Sequence, residues 1–260
     1  MLRPNRLKQR LHVGAPSLGC WLFGGSPVAT EILAGCGFDA LLIDHEHSPG
    51  GIETTVEQLR AAAGSPATIL ARIDQNSAAP VKRLLDMGVE GILAANAEEV
   101  AEVEAVVQAA YYPPVGRRGA HFTMSRAAGW GADTEAYPAH AASETLVIAM
   151  IESATGVDAI PDMGKVGQVD MFFIGPLDLS ASIGRMGDYA HPEFVELLDA
   201  AERRIVESGA ALGGAALPGH DAPRLFARDY LFVTATSDVG LLRAGALSAV
   251  QGIHREVGYA

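Results

Sequence analysis

Lysine and cysteine are scarce in this 260-residue chain. There are three lysines, Lys8, Lys82 and Lys165, and two cysteines, Cys20 and Cys36. Imine chemistry needs a desolvated lysine amine inside a site. Lys8 precedes the first predicted strand, Lys82 falls in a predicted helix, and Lys165 follows the fifth strand, so none stands at a strand's C-terminal end. No Cys-x-x-Cys spacing occurs, which excludes thiolate zinc sites and dithiol redox motifs, and both cysteines read as buried free thiols suited to a reducing cytoplasm. Basic residues number 19 against 31 acidic ones, a net charge of −12. An extended nucleic-acid or anionic-membrane surface is therefore not expected, although local arginines can still hold a small anion. No apolar run approaches the roughly 18 residues of a membrane span. The basic start "MLRPNRLKQRL" lacks the apolar stretch of a secretory signal. Neither "GGSP" nor "GHD" has the glycine spacing of a dinucleotide or P-loop fingerprint, and no Gly-x-Ser-x-Gly elbow is present.

What the chain has is alternation. Apolar runs that read as strands are "SLGCWLFG", "FDALLIDHEH", "ATILARID", "GILAANA", "TLVIAMIES", "VDMFFIGPLDL", "AALGGAAL" and "YLFVTATSD". Between them lie helical segments with start and stop signals. "SPVATEILAGCG" has Ser, Pro and Gly in the capping positions, "APVKRLLDMG" stops at Gly88, and "HPEFVELLDAAERRIVESG" places Glu early and Arg late. "AEEVAEVEAVVQAAYY" and "DVGLLRAGALSAVQGIHREV" are two further helices. Near-continuous apolar strands are buried on both faces, and eight such units fit one closed (β/α)8 TIM barrel spanning residues 1–260, with an open doubly wound sheet as the alternative. Residues 113–140 form one long connection, of the kind used as a lid, a binding loop or a subunit contact.

In such a barrel the chemistry sits at the strands' C-terminal ends. Strand two ends in Asp44, His45, Glu46 and His47, strand three in Arg72 and Asp74, strand four near Asn96, strand five in Glu152, strand six in Asp178. Thr234, Thr236 and Asp238 lie on strand eight. Any one carboxylate can be a helix cap or a loop charge. Together they put two carboxylates, an arginine and a histidine at one mouth, a set suited to a hard divalent cation. If this barrel activates a carbonyl, a metal ion must do it, because no lysine is suitably placed.

The segments "EILAGCGFDALLIDHEHSP", "VKRLLDMGVEGIL", "YYPPVGRRG", "MIES" and "DMFFIGPLDLSASIG", in this order, closely resemble the HpcH/HpaI family of metal-dependent (class II) pyruvate aldolases. The resemblance covers nearly the whole chain. It implies a barrel whose C-terminal helix is exchanged between subunits of a hexamer, a trimer of dimers. It implies a divalent metal (magnesium, manganese or cobalt), no organic cofactor, and cleavage of a 4-hydroxy-2-oxo acid into pyruvate, or a related acid such as hydroxypyruvate, and an aldehyde. By matching motif, Glu152 and Asp178 would hold the metal, His47 would be the base oriented by Asp86, and Arg72 would stabilise the enolate oxygen. The amides around Leu177 and Asp178 would bind the pyruvate carboxylate. Asp44 and Glu46 would act behind the metal, binding its waters and keeping the histidine placed, and Trp21 would line the aldehyde pocket or pack in the core. Three features depart from the family pattern: Met150 replaces a glutamine, His45 replaces a glycine and adds an imidazole beside the mouth, and "AAN" stands in place of a proline-containing segment. These departures suggest a pocket reshaped around a different substrate. An oxaloacetate-type decarboxylase and a catalytically silent binding barrel are the alternatives.

Overall fold

A computed structural model describes residues 2–257. Eight parallel strands close into a barrel in chain order: β1 (Ser17–Leu22), β2 (Ala40–Asp44), β3 (Thr68–Ile73), β4 (Gly91–Ala94), β5 (Leu146–Ile151), β6 (Met171–Ile174), β7 (Ala211–Ala215) and β8 (Phe232–Ser237). The helices are α1 (Arg6–His12), α2 (Pro27–Ala34), α3 (Ile52–Ala61), α4 (Ala78–Met87), α5 (Val100–Ala110), α6 (Tyr137–Glu144), α7 (Ala154–Met163), α8 (Pro176–Ser182), α9 (Pro192–Ser208), α10 (Ala222–Phe226) and α11 (Asp238–Val257). β3 and β5 are buried at every position, as strands packed on both faces must be. Alternate residues point inward, so Leu42, Leu70, Leu93, Ile148, Met171, Phe173 and Phe232 fill the lumen. Their neighbours pack outward against the helices.

The cap signals act as the sequence suggests. Ser26 caps α2 through Ala29 N, and α4 and α9 end on the left-handed glycines Gly88 (φ 101°) and Gly209 (φ 80°). α1 closes the N-terminal end of the barrel with fully buried Leu7. There Lys8 Nζ lies 2.6 Å from Thr145 O and 3.1 Å from Asp170, at the end opposite the mouth.

Three expectations change. "VDMFFIGPLDL" is not one strand: β6 ends at Ile174, and Pro176, preset for a first helical turn, starts α8, so Asp178 sits on a helix. Cys20 is buried but Cys36 is exposed. Residues 113–140 join α5 to β5 at the N-terminal end of the barrel and already enter α6 at Tyr137, so they are no lid over their own mouth. α11 is exposed from Leu241 to Val250, with Leu242 75% and Ile253 59% exposed. No helix among the described residues is long and apolar enough to cross a membrane.

Leu7→Ala leaves a hole in the floor of the barrel. It should cost about 3 kcal/mol of stability, read as a lower urea midpoint at unchanged m-value, with activity retained below the transition.

Candidate active site

The mouth is organised by Asp44. β2 and β3 pair so that Asp44 faces Arg72 in register, and both side chains point inward. Arg72 Nε donates to Asp44 Oδ1 at 2.6 Å, with the two side chains 6% and 0% exposed. The same carboxylate accepts the N–H groups of His47 (2.9 Å) and Glu46 (3.2 Å). Burial by itself would raise the Asp44 carboxyl, but Arg72 and the two amides hold it below the usual range. Asp44 is therefore fully engaged by protein groups rather than turned toward metal-bound water.

Arg72 is held from three sides. Glu46 Oε2 lies 3.1 Å from its Nη1, and the guanidinium sits 4.7 Å over the Trp21 ring. Burial works against its charge, but Asp44, Glu46 and Glu152 together strengthen it. Trp21 projects inward from β1, donates to Thr234 Oγ1 at 3.0 Å, stacks on Phe23 and meets the edge of Phe173. It is the packed floor beneath Arg72.

Glu152 continues the inward row of Leu146, Ile148 and Met150, one residue past β5. It is 6% exposed, and its Oε2 accepts the amide of Asn96 at 3.0 Å. Asn96 holds a positive φ of 42°, a conformation that asparagine tolerates better than most residues. Gly175 makes room for the carboxylate, since a Cβ there would lie 2.6 Å from Glu152 Oε1. Met150, buried just below, would also lie 2.8 Å from that Cβ, so it packs under the carboxylate. Burial pushes the Glu152 carboxyl up to about 7, with the charges of Asp178 and Glu46 adding to the rise and Asn96 and Arg72 opposing it. Asp178 enters from the first turn of α8, exposed beside the half-exposed Leu177.

These residues fit a divalent cation. A buried carboxylate lacking a cation of its own lies close enough to a second carboxylate for their charges to couple. Among the described residues no group of three or more His, Cys, Asp or Glu could hold a metal. Two carboxylates alone would leave positions open for substrate and water.

His47 stands at the rim, its side chain 66% exposed and its Nε2 3.7 Å from Glu46 Oε2. His45 is not in the mouth. β2 ends at Asp44 and the chain then bends, so strand alternation does not extend to residues 45–47. His45 turns outward, where its Nε2 lies 2.9 Å from Thr55 Oγ1 on α3. Burial lowers its pKa, the charges of Asp44 and Asp74 oppose this, and Arg83 adds to it. Asp86 is likewise not brought to His47 within one chain. It lies in the last turn of α4, which leads to the N-terminal end of β4, and binds Arg118 at 2.7 Å. Arg118 in turn lies 4.7 Å over the Tyr112 ring.

The fold and this mouth define a barrel enzyme that sets an acidic pair against a fixed arginine around a small oxygen-rich substrate. The HpcH/HpaI aldolase/citrate lyase model matches residues 17–243, and the chain belongs to that family. It is 35% identical over 238 residues to a hydroxypyruvate/pyruvate aldolase of Pseudomonas aeruginosa, covering 92% of this chain and 88% of that one. It is 36% identical over 242 residues to a 4-hydroxy-2-oxo-heptane-1,7-dioate aldolase of Escherichia coli, covering 93% and 92%. A solved family member from Burkholderia cenocepacia superposes with a TM-score of 0.90 at 33% identity, covering 96% and 99%.

Ionised Glu152 costs the metal-free protein stability, because folding raises its pKa from the usual 4.5 to about 7. That cost grows as pH rises through this window. In EDTA at pH 8, Glu152→Gln should gain up to about 3 kcal/mol in urea unfolding, and the gain should vanish below pH 4.5. Manganese titration of the same variant should show binding lost, while wild-type affinity should fall about tenfold per pH unit below 7 as protons compete.

Proposed function

We propose that this enzyme reversibly cleaves a 4-hydroxy-2-oxo acid into pyruvate, or a close 2-oxo acid such as hydroxypyruvate, and an aldehyde. The observation that carries the reading is the opposition of buried Glu152 and its neighbour Asp178 to Arg72, itself fixed by Asp44. The names of the two curated relatives point the same way. Glu152 and Asp178 would hold a divalent cation, magnesium, manganese or cobalt, which would supply Lewis acidity at the keto group.

The chain's own residues do the rest. The first helical bond of α8 runs from Leu179 N to Gly175 O, so the N–H groups of Leu177 and Asp178 lie ahead of the ladder and are free to bind the substrate carboxylate. His47 at the rim takes the proton of the 4-hydroxyl. The C3–C4 bond breaks, the aldehyde leaves, and the electron pair moves onto the 2-oxo oxygen, where Arg72 stabilises the negative charge by about 3 kcal/mol. Return of a proton to C3 gives pyruvate. Within one chain Asp86 is remote from His47, so a His47–Asp86 pairing requires Asp86 from another copy. The apolar face of α11, with Leu242 and Ile253 uncovered, suits exchange of that helix between subunits of a trimer of dimers.

Three measurements test this reading. His47→Ala should lower aldol cleavage by about 10²–10⁴-fold and spare oxaloacetate decarboxylation, which needs no proton from the donor. Loss of both would remove His47 from the base role. EDTA should abolish activity, whereas borohydride with pyruvate should not, and covalent trapping would overturn the metal reading. In sedimentation, Leu242→Glu combined with Ile253→Glu should yield a smaller species than the wild type.

A further inference from the structure

We propose that the cavity around Arg126, at the N-terminal end of the barrel, binds a small carboxylate with a compact apolar body, independently of the mouth. The cavity has a volume of about 170 Å³. Leu59, Leu85, Val89 and Ala127 give it apolar walls, and Arg126 supplies a charge. Arg126 is only 9% exposed. Its Nη1 donates to Met87 O at 2.7 Å, capping the C-terminus of α4.

No carboxylate pairs with this guanidinium among the described residues. The two acids that line the cavity are engaged elsewhere: Glu90 takes both Nε and Nη2 of Arg3, and Glu144 accepts the amide of Asn5. Burial, with the nearby Arg60 charge adding to it, works against the protonated form of Arg126. A buried charge without a counter-ion is costly. An incoming carboxylate would supply one, in the forked geometry that guanidinium favours. His140, whose pKa burial lowers against the opposing charges of Glu144 and Glu90, lines the same cavity as a second donor.

Size and lining then narrow the ligand. An apolar cavity of about 150 Å³ accommodates benzene, so the body beyond the carboxylate holds about six heavy atoms. A phosphate or a dicarboxylate would bring a second charge against the apolar wall and is disfavoured. Residues 113–140 contribute Arg126, Ala127, Tyr137 and His140 to the cavity, which gives this connection a role other than covering the mouth.

Benzoate is the probe, with benzyl alcohol as the uncharged control. Calorimetry on the manganese-loaded wild type should show one benzoate per chain, at least tenfold tighter than benzyl alcohol. Binding should persist with saturating pyruvate. Arg126→Gln can still donate to Met87 O but should lose at least tenfold in affinity, whereas Arg126→Lys should lose less. A crystal soaked in 4-bromobenzoate should show the bromine between Leu85 and Ala127, a readout that needs no variant. Absence of benzoate binding, competition with pyruvate, undiminished binding in Arg126→Gln, or bromine elsewhere would each overturn the proposal. The benzoate affinity, the Arg126 variants and the bromine position do not depend on the aldolase reading.

Discussion

The buried ion pair between Asp44 and Arg72 is the constraint on which the mouth depends. Two charges removed from water are stable only if each is fully partnered, and here they are. Arg72 has Asp44, Glu46 and the Trp21 face, while Asp44 has Arg72 and two backbone amides. One carboxylate thus fixes the cation and also shapes the turn that presents Glu46 and His47. Glu152 is treated in the opposite way. Its hydrogen bond from Asn96 does not offset burial, and its carboxyl rises to about 7. The positive side of the mouth is settled in advance and the negative side is left in deficit, a common way for a binding site to cost stability.

Much of this was legible in the chain. Eight apolar runs gave the barrel, and Asp44, Arg72 and Glu152 stood out as polar residues closing strands two, three and five; that all three point inward is seen only in the structure. The failures cluster where a strand stops. The run "FDALLIDHEH" reads as strand through His47, yet the capture of two amides by the Asp44 carboxylate ends the strand there. Asp178 reads as a strand end but lies on a helix, since Pro176 begins α8. Asn96 supports Glu152 through a backbone amide at positive φ, and backbone contacts leave little trace in residue type. Gly175 was visible only as part of "IGP", because its meaning depends on a side chain far away in sequence.

The departures from the family pattern look different once located. Met150 is buried under Glu152, and His45 faces α3 through Thr55. Neither forms an exposed wall of the mouth. One acts on how tightly the carboxylate is packed, the other on how the turn after β2 is tethered.

The scarcity of lysine has a consequence beyond ruling out an imine. Aldehydes condense readily with primary amines, and a catalyst that handles them risks gradual self-modification. This chain offers few targets: Lys8 is tied between Thr145 O and Asp170, and only Lys82 and Lys165 project from the surface. Few exposed lysines mean few lysine sites for adduct formation and browning at high aldehyde loads. By the same token the protein is poorly suited to glutaraldehyde cross-linking or attachment to supports through its amines.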